Sequence, residues 1–175
     1  MRKTQHGFSL TELMVALAII GILLGIATPS YRQFSGNSRT VATTNSLVGA
    51  LAVARSEALR RATPVTICAS TDQLSCNTTD WSNGWIVFTD ASVAGTVDGT
   101  DKIVQAWPAP GGNSKVSLIY PNTAFGWLQY TARGMTNLAG QATFTAYVQG
   151  CKGNNQSQVV VTVMGSPQTT KIACP

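Results

Sequence analysis

Four cysteines, one histidine and a group of aspartates have the widest chemical range in this 175-residue chain. The histidine, His6, stands alone near the N-terminus. Ser–His nucleophilic catalysis and histidine-based metal sites therefore lack their central residue. Asp90, Asp98 and Asp101 lie in a glycine-containing stretch, DASVAGTVDGTD. Close carboxylates of this kind are hard oxygen ligands, and calcium takes six to eight of them. The alternative is a solvated hairpin loop with Asp98-Gly99 as its turn. No carboxylate pair has a proton partner or a substrate pocket beside it, so no enzymatic activity and no cofactor are expected. Trp81, Trp85, Trp107 and Trp127 could stack bases or sugars, but aromatic residues at strand positions more often fill a core.

The N-terminus holds a different chemistry. Residues 1–7 are polar and basic, and from Leu13 to Ala27 every residue is apolar or Gly. The span from Phe8 to Ala27 is about 20 residues, long enough to cross a hydrocarbon core as a helix. Arg2 and Lys3 on its near side direct the remainder outward. A secretory signal peptide cleaved at Gly25-Ile26-Ala27 is one reading, and a plain membrane anchor is another. Glu12 argues against both. A carboxylate carried to mid-bilayer costs about 2.5–3.5 kcal/mol, and neither reading needs one.

Gly7-Phe8-Ser9-Leu10-Thr11-Glu12, with Pro29 just beyond the apolar run, resembles the type IV prepilin motif. The resemblance implies cleavage by prepilin peptidase between Gly7 and Phe8, followed by N-methylation of Phe8. It gives Glu12 an assembly role and holds the mature helix in the inner membrane until a filament extracts it. Single-pass insertion would leave the C-terminal domain in the periplasm, and later on a pilus at the cell surface.

Export into an oxidising compartment makes disulfides the default for Cys68, Cys76, Cys151 and Cys174. Four cysteines allow three pairings. Nearest-neighbour pairing, Cys68 with Cys76 and Cys151 with Cys174, is favoured, and the second pair would pin a C-terminal strand. A zinc site made of all four thiolates lacks any C-x-x-C spacing.

The elements that carry these residues follow from periodicity. A helix is expected from Phe8 to about Arg61. Pro29 inside it removes a hydrogen bond and marks a kink. From Ser38 onward the helix is amphipathic: Leu47, Leu51, Ala54 and Ala58 make one apolar stripe, with Arg55, Arg60 and Arg61 largely off it. Glu57 and Arg61 form an i,i+4 pair, and Thr63-Pro64 ends the helix. Beyond Pro64 the period becomes two. Strands are expected at 65–69, 85–89, 103–107, 115–120, 127–131, 143–149, 158–164 and 170–173. The class is α+β: a long N-terminal helix, transmembrane in its first half, packed on an antiparallel β domain of type IV pilin-like form. The expected divisions are a leader (1–7), a transmembrane or filament-core helix (8–28), its amphipathic continuation (29–62) and a periplasmic head (63–175).

Ala52–Arg61 (AVARSEALRR), Val65–Cys68 and Gly84–Asp90 (GWIVFTD) together resemble the GspH/FimT family of minor pilins and pseudopilins, within it the FimU type. Tyr130–Gly134 (YTARG) is a partial echo. The resemblance implies a structural subunit that joins other minor pilins and the major pilin to prime or cap a type IV pilus. A type II secretion pseudopilin is the alternative within the family. Some members bind DNA through an Arg-rich segment near the C-terminus, which would make the chain an uptake receptor. Here the matching stretch, Gly165–Lys171, has one Lys and no Arg.

Composition agrees with this division of labour. Charged residues are 11% of the chain against 44% hydrophobic, which excludes a disordered polymer. The net charge of +5 includes Arg2 and Lys3 and falls to +3 without them, so it is a weak argument for a nucleic-acid partner.

Overall fold

The computed structural model describes residues 9–175, with the side chains of all of these but 26–30. One long helix, α1 (Leu10–Arg61), is followed by eight strands: β1 (Val65–Ala69), β2 (Gly84–Thr89), β3 (Ile103–Pro108), β4 (Ser114–Ile119), β5 (Trp127–Tyr130), β6 (Ala142–Val148), β7 (Gln156–Val161) and β8 (Pro167–Ile172). A 3₁₀ turn, Trp81–Asn83, precedes β2. Every expected strand is present: β1 has its expected bounds, and the ends of the others are displaced by at most three residues. The chain divides into two compact units, Met1–Ser35 and Gly36–Pro175, so the division falls within α1.

In the first unit α1 begins with a side-chain cap. Ser9 Oγ accepts the backbone N–H of Glu12 at 3.3 Å, one of the four donors that a helix start leaves without a partner. The far end of α1 belongs to the second unit. There Ala62 adopts φ +52°, the left-handed conformation that stops a helix. Pro64 follows and prevents its resumption.

The second unit is built from two four-stranded antiparallel sheets, ordered β3-β2-β1-β5 and β4-β6-β7-β8. In the first sheet Ile67 pairs with Val87 on one side and Leu128 on the other. In the second Phe144 lies between Leu118 and Val159. Leu47, Leu51, Ala54 and Ala58 of α1 are fully buried, as their spacing predicts, and Ala50 joins them. They pack in one core with Ile67, Trp85, Tyr130, Leu118, Phe144 and Val159, so helix and both sheets share a single apolar centre. The ring of Trp81 meets Phe144 edge to face at 4.9 Å, and its indole N–H donates to the Phe125 carbonyl.

A smaller cluster covers the opposite face of the first sheet. Cys68, Ile86 and Phe88 pack there against Val97, Cys76 and Trp127. This second cover explains why β1 is buried at every position instead of alternating. The buried helix face also continues N-terminally through threonines. Thr40 and Thr44 are buried, and each satisfies its hydroxyl on the carbonyl four residues earlier, Gly36 O at 3.2 Å and Thr40 O at 2.7 Å.

Candidate assembly surface

Glu12 sits in the first turn of α1, where a helix N-terminus favours negative charge. It is exposed and has no ion-pair partner among the described residues. Around it Leu10, Leu13, Met14, Val15 and Leu17 are 57–76% exposed, and Ile19, Ile20, Ile22, Leu23 and Leu24 are 51–65% exposed. Apolar residues therefore cover every side of this helix segment instead of one stripe. A helix that is apolar on every side is of the kind found buried in a large core or a membrane. Gly7 and Phe8, the expected cleavage and methylation positions, lie outside the described residues, as does the side chain of Pro29. Among the described residues no helix is long and apolar enough to cross a membrane. The expected span from Phe8 to Ala27 extends beyond the described side chains at both ends.

In the second unit both disulfides join the expected partners, Cys68 with Cys76 and Cys151 with Cys174, and no cysteine is free. The first closes a loop that Asp72 organises from within. Asp72 Oδ1 accepts the N–H groups of Leu74 and Ser75, both at 2.9 Å, and the Ser70 hydroxyl, while Oδ2 accepts the Ser75 hydroxyl. These bonds, led by the one from Leu74 N–H, hold its carboxyl well below the usual aspartate range. The second disulfide lies just past β8, and Cys174 N–H also donates to the Gly153 carbonyl at 2.9 Å.

Asp90, Asp98 and Asp101 do not form the calcium cage weighed from the sequence. Among the described residues no three acidic, cysteine or histidine side chains come together as a metal site. Asp90 is buried and accepts the Thr66 hydroxyl at 2.5 Å and Gly95 N–H at 2.8 Å, which folds the 90–102 loop onto the first sheet. Asp98 accepts the Ser92 hydroxyl. Asp101 accepts the N–H groups of Ala91 and Asp98, and its own N–H closes a turn on Asp98 O at 2.9 Å. Asp98 and Asp101 are bonded within the loop, as the hairpin-loop reading has it, whereas Asp90 is buried, bonds to Thr66 on β1 through Oδ2, and leaves Oδ1 without a partner among the described residues.

Arg55, off the apolar stripe, has a role that spacing did not reveal. Its Nε donates to the Gly134 carbonyl at 3.0 Å, Nη2 to the Met164 carbonyl at 3.0 Å and Nη1 to the Ser166 hydroxyl at 3.3 Å. One guanidinium thus ties α1 to the turn after β5 and to the β7–β8 turn. Beneath it Tyr130 is buried with its hydroxyl 3.4 Å from the Gly165 carbonyl; burial pushes its pKa upward, and the Arg55 charge opposes the shift in part. Glu57 bridges both Arg60 and Arg61, at 2.5 and 2.6 Å. Its carboxyl is held below the ordinary value chiefly by Arg60 and then by Arg61. Lys171, the one cation in Gly165–Lys171, is engaged with Asn37 Oδ1 at 3.1 Å.

Comparison with known proteins agrees with this architecture. The family described as "Type II transport protein GspH" matches residues 43–166, and the prokaryotic N-terminal methylation motif matches residues 2–28. The type IV major alpha-pilin of Moraxella bovis is 38% identical over 63 residues, 36% of this chain and 40% of the pilin. Fimbrial protein Q of the same species is 50% identical over 38 residues, 22% of this chain and 24% of that protein. The matched stretches thus span less than half of these relatives. Among solved structures, the type IV minor pilin FimU of Pseudomonas aeruginosa superposes with a TM-score of 0.60 at 18% identity, covering 82% of this chain and 98% of that one. The minor pseudopilin EpsH from the type 2 secretion system of Vibrio cholerae gives 0.51 at 10% identity, covering 77% and 97%. At these identities the likeness is one of fold.

Proposed function

From a chain that belongs to the GspH family of minor pilins and pseudopilins and carries the N-terminal methylation motif, we propose a FimU-type minor pilin, a non-enzymatic subunit that joins other minor pilins and the major pilin to prime or cap a type IV pilus. Prepilin peptidase cuts between Gly7 and Phe8, and Phe8 is then N-methylated. The mature chain is held in the inner membrane by α1, with its sheets in the periplasm, before it enters the filament.

The observation that carries this reading is Glu12, a carboxylate without an ion-pair partner among the described residues, set among exposed apolar side chains on all sides of α1. Buried unpaired among apolar helices it would cost several kcal/mol. The ammonium of a neighbouring subunit's Phe8 supplies the missing charge, and the pair selects one axial register, since a slipped subunit leaves both charges alone. Glu12→Ala and Glu12→Gln are expected to leave leader cleavage and thermal unfolding unchanged while reducing recovery in sheared filaments. Wild-type recovery of both variants would remove Glu12 from the mechanism.

The second reading is a type II secretion pseudopilin, favoured by the family's description and by the likeness to EpsH. Deleting the gene and scoring surface pili and secreted proteins separately distinguishes the two. An uptake receptor for DNA is disfavoured by the engagement of Lys171 with Asn37. One occupied cation neutralises few phosphates.

A further inference from the structure

We infer that a groove beside α1 in the second unit is a docking site for an acidic side chain on an extended segment of a partner pilin-like subunit, with Arg39 as its anion anchor and Trp85 as a donor at its base. The groove has a volume of about 480 Å³ and lies between the α1 segment that includes Arg39 and Ser46 and the wall made by Trp107, Pro108 and Pro110. None of its lining residues is acidic, and Arg39 is its one charged group. Arg39 is exposed and has no hydrogen bond or ion pair among the described residues. An unpaired guanidinium beside an aromatic and proline wall presents a planar fork of donors that matches a carboxylate.

Trp85 also lines the groove, is 1% exposed, and its indole N–H has no acceptor. The contrast with Trp81, equally buried but bonded to Phe125 O at 2.9 Å, is direct. A buried donor left without a partner keeps its full desolvation penalty; an acceptor brought by a ligand removes it. The wall is fixed in place: Thr43 donates to Ser114 Oγ at 3.5 Å, and Ser114 Oγ donates to the Gly111 carbonyl at 2.8 Å. Gly112, at φ +72°, lies so close beneath Arg39 that a Cβ there would overlap the guanidinium. The loop therefore leaves room for the arginine in its present place.

The complementary ligand has an acceptor at its tip and methylenes behind it, the description of a glutamate side chain. A phosphate backbone fits less well, because neutralising nucleic acid needs several cations and the groove supplies one. The partner's identity as a pilin-like subunit rests on the filament reading above; the carboxylate chemistry does not.

The test uses the full chain in detergent micelles, labelled with ¹⁵N at tryptophan, and an end-capped alanine pentapeptide with a central Glu. The Trp85 indole signal is expected to move downfield with added peptide while the Trp81 signal stays in place. Replacing the peptide's Glu by Gln, or Arg39→Gln in the chain, is expected to weaken binding about tenfold, the factor for one charge-assisted contact. Arg39→Lys is expected to restore part of it. The proposal is overturned if Trp85 does not respond at millimolar peptide or if the Gln peptide binds as well. Movement on concentrating the chain alone would overturn it in favour of a second copy, and movement with a duplex oligonucleotide but not the peptide in favour of nucleic acid. Because the readout needs no filament, failure here leaves the Glu12 experiment standing, and failure there leaves the groove standing as a carboxylate site.

Discussion

Removing the Arg55 side chain is expected to cost the second unit about 3 kcal/mol. Its guanidinium makes two 3.0 Å bonds to backbone carbonyls, those of Gly134 and Met164, and a longer one to Ser166 Oγ. Hydrogen bonds from a charged donor contribute about 1.5–3 kcal/mol each. Arg55 is half-buried, so the lower end applies, and the 3.3 Å bond adds little. Two bonds at about 1.5 kcal/mol give about 3 kcal/mol for Arg55→Ala, or a fall of about 6–12 °C in Tm for a chain of this size. Arg55→Lys keeps the charge but not the fork, and reaches one carbonyl at a time; about half the loss is expected. Urea unfolding of the full chain in detergent supplies the free energies. Amide exchange supplies the location: Gly134 N–H and Gly165 N–H, bonded at 2.8 Å to Thr131 O and Thr162 O, lie in the two turns that Arg55 holds and are expected to exchange faster. An Arg55→Ala chain within about 0.5 kcal/mol of wild type, or a lysine variant as stable as arginine, would refute the claim that the guanidinium joins these elements.

Four further outcomes are expected. Gly165→Ala, at φ +77° and with the new Cβ overlapping the Gly134 carbonyl and 2.9 Å from Tyr130 Cε1, should destabilise by at least ~2 kcal/mol in the same urea titration. Replacing Cys151 and Cys174 together by Ser should cost about 3 kcal/mol by loop entropy for a separation of 23 residues, with new protease cleavage after β7 as the second readout. Asp72 has a carboxyl depressed in the folded state, so its contribution is complete above the ordinary aspartate pKa of about 3.9 and is lost as pH falls from there toward its lower folded value; Asp72→Asn should therefore lower stability at neutral pH, converge with wild type in acid, and so flatten the acid limb. The full chain should bind duplex DNA more weakly than about 1 µM at roughly 150 mM salt; tighter binding with a steep salt slope would promote the uptake-receptor reading.

The fold was largely legible because its main devices are periodic or local. The stripe Leu47, Leu51, Ala54, Ala58 and the eight short strand runs each appear within a short window of sequence. The disulfides join neighbours along the chain, so an even count and an exported context led to their pairing. What escaped the sequence is long-range or disguised. Arg55 looked like a solvated residue because its acceptors lie 79 to 111 positions away. Thr40 and Thr44 hide their polarity by bonding back to the helix, so the buried face seemed to begin later than it does. Asp90 looked like one of three equivalent loop carboxylates until Thr66, across the sheet, proved to be its donor. At the start of α1, the Ser9 cap on Glu12 N–H went unread, although Ser9-x-x-Glu12 has the spacing of a capping pattern.

The four sheet edges bear on a hazard particular to a chain proposed to polymerise. An uncovered edge strand templates strand-to-strand aggregation, a polymer that would compete with an ordered one built from helices. Beside β5, Asn137 N–H donates to Gln129 O and the Asn137 side chain accepts Gln129 N–H, so a loop takes the place of a ninth strand. Beside β4, Ser82 Oγ accepts Val116 N–H at 3.0 Å and donates to its carbonyl, blocking the ladder at mid-strand. The remaining edges are closed by residue type: β3 ends at Pro108, and β8 begins at Pro167 and carries Lys171. Strand-to-strand stacking is thereby discouraged at these margins, and an assembly of the proposed kind is left to surfaces other than the sheet edges.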